Sequence, residues 1–317
     1  MNHSSPRLTI VVPVKDRAST ICSTLDAIAS QTLRPLSLVV VDNASSDGTR
    51  TVVERWASMH TGDGLSITVV TEDKPGACAA RNRGLREVCT PFVMFFDSDD
   101  YMPPCHAARA VKALEGGADV AYWREIVDVD GVRRVTHGAV ASGDMAVSQI
   151  LYCVLATHRW VATTRIVREV GEWNESLHCW NDLEYGLRLA MKAAMVAYDD
   201  RAPGDMVVWR GHSESITGRG RSHRLGEWEL SLDEMERQLT RAGQDRLLVW
   251  IAVRRVALAA EYYREGHHAH ARELQHKALV SAGGWYTRLV LRLLYAKSCM
   301  FTRGTVLLAR VFFRFFK

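Results

Sequence analysis

Hydrophobic and polar positions alternate along the first hundred residues in blocks. Leu8–Val14 is a continuous, largely β-branched apolar run, too short for a helix and bounded by Pro13. It predicts a strand buried on both faces, as in parallel sheets. Over residues 17–31 the apolar positions Ala18, Ile21, Leu25 and Ile28 keep helical spacing. A second buried strand is predicted over 36–41, ended by the turn-rich segment Asp42-Asn43-Ala44-Ser45-Ser46-Asp47-Gly48. Helix, strand, helix and strand then follow at 49–60, 66–70, 77–88 and 92–96. Such alternation predicts βαβ units: an α/β, Rossmann-like fold with a mostly parallel sheet and helices on both faces. Ligands of these sheets gather beyond the carboxyl ends of the strands. That rule places Lys15 and Asp16, Asp42, residues 72–76 and residues 97–100 on one rim.

The alternation then loosens. Helices are predicted at 103–114, 142–155 and 182–192, and strands at 119–127, 194–198 and 206–209, with a hairpin turn at Asp130-Gly131. Residues 212–221 form a polar loop, and from about Leu225 onward the pattern is helical, with a helix pair around Gly266 over 247–280. The expected division is an α/β domain over 1–220 and a helical region over 221–317.

Composition changes this picture little, and charge changes it more. A chain of 317 residues with 47% hydrophobic and 24% charged side chains is ordinary for a globular protein, which excludes collagen, coiled coil and bulk disorder. Its formal charge of +4 conceals an asymmetry. Residues 1–220 hold 23 basic against 27 acidic side chains, and residues 221–317 hold 17 against 9. Seven scattered cysteines form no CxxC, so reduced thiols are expected. Residues 1–7 are polar with no apolar signal core, and no run of 18 uninterrupted apolar residues occurs. A cytoplasmic setting follows as the expectation, including peripheral attachment to the inner face of the plasma membrane.

The sharpest chemical feature is Phe95-Phe96-Asp97-Ser98-Asp99-Asp100, three carboxylates within four residues at the end of an apolar strand. Like charges so close need a cation or several donors, and a hard divalent ion holding a diphosphate suits them.

Taken together, Val11-Val12-Pro13-Val14-Lys15-Asp16-Arg17, Val41-Asp42-Asn43-Ala44-Ser45-Ser46-Asp47-Gly48-Thr49, Gly76-Ala77-Cys78-Ala79-Ala80-Arg81-Asn82-Arg83-Gly84 and Phe96-Asp97-Ser98-Asp99-Asp100 resemble family 2 glycosyltransferases of the GT-A fold. The resemblance covers roughly residues 7–215, about two-thirds of the chain. It implies metal-dependent transfer of a sugar, with inversion, from a UDP-, dTDP- or GDP-linked donor. The implied acceptor is a hydroxyl and the implied cofactor Mg2+ or Mn2+; a glycan or lipid-linked acceptor in cell-surface polysaccharide or glycoconjugate synthesis is the expectation that joins this catalytic front to the basic C-terminal region. By position, Asp42 resembles the carboxylate that accepts a hydrogen bond from the donor base. Pro13 and Asp16 resemble the loop beside base and ribose, here without its usual aromatic. Arg81 would reach the base or the diphosphate. Within the acidic triplet, Asp99 resembles the direct metal ligand and Asp97 the residue meeting the ribose or a metal-bound water. Asp100 would orient its neighbours or cap the next helix, and His212 resembles the late histidine that completes the metal site. Asp182, in Cys179-Trp180-Asn181-Asp182-Leu183-Glu184, fits the general base, with Glu184 as fallback and Asn181 in place of the usual Glu. Trp180, Trp173 and Trp160 are candidates to stack on acceptor sugars or to fill the core. Two other readings stay open: a catalytically silent scaffold on the same fold, and a nucleotidyltransferase. The latter would want a glycine-rich phosphate loop after the first strand, where this chain has Pro13-Val14-Lys15-Asp16-Arg17.

Residues 285–317 contain seven Lys or Arg and no acid. Arg303, Arg310, Arg314 and Lys317 share one side of a helix whose remainder is aliphatic and aromatic. Such a helix suits an anionic membrane surface. Packing against the catalytic domain, or against a homodimer partner through the C-terminal helices, is the alternative. Nucleic acid is not expected, because the aromatics are too contiguous to act as separate stacking platforms.

Overall fold

A computed structural model describes residues 5–129, 131–136, 144–211, 221–301 and 305–313. In chain order the elements are β1 (Leu8–Val14), α1 (Ile21–Ala29), β2 (Leu36–Asp42), α2 (Thr49–His60), β3 (Leu65–Thr71), α3 (Ala77–Arg86), β4 (Phe92–Phe95) and α4 (His106–Glu115). There follow β5 (Val120–Tyr122), β6 (Ile126–Val129), β7 (Val132–Val135), α5 (Met145–Tyr152), β8 (Trp160–Thr163), α6 (Thr164–Val170), α7 (Asn181–Lys192), β9 (Val196–Tyr198) and β10 (Val208–Gly211). Five helices complete the chain: α8 (Glu227–Arg241), α9 (Leu248–Arg264), α10 (His268–Val280), α11 (Trp285–Met300) and α12 (Thr305–Phe312).

Two compact units result, Met1–Ala139 with Val154–His212, and Val140–Cys153 with Ser213–Lys317. The first is built on a seven-stranded sheet of order β3-β2-β1-β4-β8-β5-β9. Every neighbouring pair is parallel except those made by β8, which runs against both β4 and β5. The mostly parallel α/β sheet expected from the pattern is therefore present, with one reversed strand in its middle. Alternating side chains divide between its faces. Ile10, Val12, Leu38, Val40 and Met94 join Ile21, Leu25, Val53 and Val111 of α1, α2 and α4 in one buried cluster. The other face carries Val11 and Val41, and α3 lies so close to them that Gly84 has no room for a side chain. A Cβ there would overlap Val11 Cγ1 and lie 3.0 Å from Val41 Cγ2. Gly84→Ala should therefore destabilise the protein by about 1–2 kcal/mol, the overpacking cost exceeding the gain in helix propensity. A urea midpoint at or above wild type would refute this tight approach.

The continuous strand predicted over 119–127 is two strands in two sheets. β5 joins the large sheet, whereas β6 pairs with β7 and β10 in a three-stranded sheet. The break has a local cause: Trp123 N donates to the Arg159 carbonyl and Glu125 N to Thr136 Oγ1, so the chain changes partners between them. Val129 pairs with Val132 across the expected turn, where Gly131 has φ 79° and Asp130 lies outside the described residues.

Among the described residues the second unit is all helical. α8, α9 and α11 bury Trp228, Leu232, Ile251, Val256, Leu291 and Leu294. Arg255, fully buried on α9, pairs with Asp233 (2.8 Å) and Glu236 (2.7 Å) of α8. Gly266 takes φ 90° in the turn between α9 and α10, where the sequence predicted a break. Of the basic stripe expected on the terminal helix, Arg310 lies on α12, while Arg303, Arg314 and Lys317 are outside the described residues.

Candidate active site

The carboxyl ends of β1, β2, β3 and β4 meet on one rim, tied together by side chain–backbone bonds. Asn43 donates to the carbonyls of Glu72 (2.9 Å) and Lys74 (2.7 Å) and accepts from Gly76 N (2.8 Å). It thereby fixes the loop leading into α3. Asp16 Oδ1 accepts from Ser46 N at 2.8 Å, and Asp16 N donates to Ser45 Oγ at 3.0 Å, locking the first loop onto the second. Asp16 (φ 48°), Ala44 (φ 50°) and Trp180 (φ 48°) hold left-handed backbone conformations around the rim, a strain that clusters at functional sites. Pro13 is buried within β1, opposite Val41. Asp42, at the last position of β2, is 3% exposed. Its Oδ2 accepts from Ser45 N at 3.3 Å, whereas its Oδ1 is buried without a partner. This open acceptor lies at the carboxyl end of a strand, where sheets of this kind gather their ligands.

Arg81 braces the centre of the site. At 5% exposure, its Nη2 donates to Asp97 Oδ1 (2.8 Å) and its Nη1 to Asn181 Oδ1 (3.1 Å). Its guanidinium lies 4.7 Å over the Trp173 ring. Trp173 in turn stacks on Tyr185 (4.0 Å) and meets Phe95 edge-on (5.4 Å). Trp173 and Trp160 are thus core residues whose faces are covered, which removes them as sugar platforms; Trp180 remains half-buried at the start of α7. One guanidinium so joins the acidic end of β4 to the helix that carries Asp182.

The acidic end of β4 has a partner that sequence reasoning missed. His158, in the short 3-10 turn before β8, sets Nδ1 3.1 Å from Asp100 Oδ2 and 3.9 Å from Asp97 Oδ2, while Nε2 bonds Glu125. Arg159 Nε stands 3.7 Å from the same Glu125. Burial alone would discharge His158, but Glu125 and Asp100 hold its pKa well above the usual imidazole value. Burial pushes Asp100 the other way for a carboxylate, well up, and the charges of Asp97, Asp99 and Glu125 add to it against His158. Asp97 resists burial because Arg81 and His158 keep its pKa below the ordinary range. In the sequence only the place of His158 and Arg159 directly before the apolar run Trp160-Val161-Ala162 hinted at this.

Ligand atoms of Asp97, Asp100 and His158 all lie within 4.8 Å of one another. Asp100 Oδ2 and His158 Nδ1 are buried and face each other. Two carboxylate oxygens and one deprotonated imidazole nitrogen suit a divalent ion such as Mn2+ better than Mg2+, which prefers an all-oxygen shell. The Asp99 carboxylate stands by Arg17 Nη2 (3.8 Å) and is not one of these three groups. His212 lies outside the described residues; Arg210, two positions before it, donates its amide to Asp100 Oδ1 (3.2 Å).

On the opposite side, Asp182 occupies the first turn of α7, its Oδ1 accepting from Leu183 N at 2.8 Å. Glu184 is fully buried and held by two bonds from Arg188 (2.7 and 3.0 Å), which takes it out of contention as a base.

Residues 9–161 match the family model described as Glycosyl transferase family 2. Among curated relatives, glycosyltransferase AglE of Haloferax volcanii is 29% identical over 123 residues, 38% of this chain and 40% of that protein. The chain spans less than half the length of the first curated relatives it matches. Among solved structures, S. aureus TarS 1-349 in complex with UDP-GlcNAc superposes with a TM-score of 0.70 at 16% identity, over 96% of this chain and 90% of that one. The mannosyltransferase PcManGT from Pyrobaculum calidifontis, in complex with GDP-Man and Mn2+, gives 0.52 at 19% identity, over 97% and 87%. At these identities the two structures speak for the shared GT-A fold alone.

Proposed function

Residues 9–161 belong to glycosyl transferase family 2, and from that premise we propose that the protein transfers a sugar, with inversion, from a nucleoside diphosphate donor to a hydroxyl of a glycan or lipid-linked acceptor. The observation that supports this reading best is the Arg81 brace, because it holds the donor-side carboxylates and the acceptor-side helix in one rigid frame. Positioning of this kind is what two-substrate transfer demands. The open Oδ1 of Asp42 takes a ring or exocyclic N–H of the donor base. Asp97, Asp100 and His158 would hold a divalent ion, whose binding would displace the proton from His158 Nδ1, with Asp99 and His212 proposed as additions to that shell. When bound, it supplies positive charge against the leaving diphosphate. Asp182 accepts the proton of the attacking hydroxyl, and Trp180 borders the acceptor. Structures sharing the fold hold UDP-GlcNAc or GDP-Man, so the donor base is left to experiment. All seven cysteines are free thiols, in keeping with the reducing cytoplasm we propose as its place of work.

Donor hydrolysis and transfer, measured across UDP-, dTDP- and GDP-sugars with Mn2+, test the reading directly. One donor should stand out, and chelation should lower its turnover by at least about a hundredfold, restored by Mn2+. His158→Gln and Asp100→Asn should each weaken Mn2+ binding, read by titration calorimetry, by about tenfold or more. Full turnover in excess chelator would remove the metal, and no turnover with any donor would favour a silent scaffold.

A further inference from the structure

Helix α11 turns only one side to the protein. Thr287, Val290, Leu291, Leu294 and Ser298 are buried, whereas Trp285, Leu289, Leu293 and Met300 are 78%, 46%, 52% and 70% exposed. The first three recur every four residues, so they form one ridge along the outward face, and Met300 continues it. Arg288 and Arg292 run along one side of the ridge and Lys297 along the other. Among the described residues neither arginine makes an ion pair. α12 returns beside α11, where the Tyr286 hydroxyl donates to the Phe312 carbonyl (3.5 Å), and it too exposes Leu307 and Val311.

We propose that this ridge lies in the headgroup layer of an anionic lipid bilayer, α11 parallel to the surface. The proposal is independent of the catalytic reading. An apolar ridge with tryptophan at one end and cations on both flanks is the pattern of an interfacial helix. No helix among the described residues is long and apolar enough to cross a membrane, so the helix lies on the surface. Charge decides against a second copy of the chain as occupant. Two-fold pairing would set the same cations against each other, with no acid anywhere in residues 285–317 to answer them. An anionic leaflet supplies the opposite charge and receives the apolar side chains together.

Sedimentation of the full chain with phosphatidylglycerol–phosphatidylcholine vesicles, against pure phosphatidylcholine vesicles, tests this. The protein should pellet with the anionic vesicles only. Arg288→Ser with Arg292→Ser should weaken partitioning roughly thirtyfold, at the usual gain per basic residue near an anionic surface. Leu289→Gln with Leu293→Gln should weaken it by at least as much. Both pairs are exposed, so far-UV circular dichroism and melting temperature should stay at wild-type values. Wild-type tryptophan emission should shift blue with anionic vesicles, and Trp285→Ser should remove the shift. Equal pelleting with both vesicle types, no pelleting, or indifference to these substitutions would overturn the proposal. So would a dimer in sedimentation velocity that Leu289→Gln with Leu293→Gln dissociates.

Discussion

Asp182→Asn is expected to slow sugar transfer by about 10²–10⁴-fold, the range for loss of a placed general base, with donor binding and melting temperature near wild type. The substitution keeps side-chain volume and an Oδ1 that can still accept from Leu183 N, so the first turn of α7 should be undisturbed. What it removes is a carboxylate able to take a proton. Glu184→Gln is the control with the opposite signature. Glu184 is buried and bonded twice by Arg188, so its neutralisation should cost about 3 kcal/mol of stability. In the folded fraction it should leave the chemical step intact. Single-turnover transfer at saturating donor separates the two variants. Wild-type rates in Asp182→Asn would dismiss the base assignment.

Arg81→Met should produce the second large effect, and it should strike stability and activity together. The guanidinium is nearly fully buried, and its loss leaves Asp97 without the main cation that opposes its burial. Breaking such a pair costs about 3–5 kcal/mol when both partners are buried. About a third of the Asp97 side chain meets solvent, so roughly 2–4 kcal/mol is the better expectation here. Arg81→Lys should recover little, because one ammonium cannot hold Asp97 and Asn181 with the spread of a guanidinium. A double-mutant cycle with Asp97→Asn isolates the pair, with an expected coupling of about 1–3 kcal/mol. Unfolding by urea within about 0.5 kcal/mol of wild type would place Arg81 outside the framework.

The first half of the fold was legible because its strands are buried on both faces and its loops carry the turn chemistry. The sequence pattern marks Leu8–Val14 and Thr49–His60 with the boundaries they have. Local pattern also identified the rim, since strand-end carboxylates stand out against β-branched runs. Legibility failed where a partner is distant in sequence. Nothing within the predicted strand over 119–127 announces that Trp123 and Glu125 bond to Arg159 and Thr136 and split it between two sheets. β8 went unseen for the same reason: Trp160–Thr163 is four residues long, and its pairing with β4 and β5 alone makes it a strand. His158 came to the site unannounced with it, whereas the family pattern had directed attention to His212. Arg81 was expected to face the ligand, but its engagement by Asp97 and Asn181 depends on Trp173 lying beneath it, a tertiary fact.

The reversed strand also orders events in time. A chain leaving the ribosome completes β1 to β4 before β8 has been made, so the aspartates at the end of β4 appear without His158 beside them. β8 must then enter between β4 and β5, a non-local pairing of the kind that folds slowly. Until it docks, β4 is an unpaired edge of the nascent sheet, and transiently exposed edges of this kind are open to misassembly. Joining β5 and β9 to the sheet through β8 and bringing His158 to Asp97 and Asp100 are therefore one event, so a chain caught before it lacks both the far strands of the sheet and the assembled three-residue cluster.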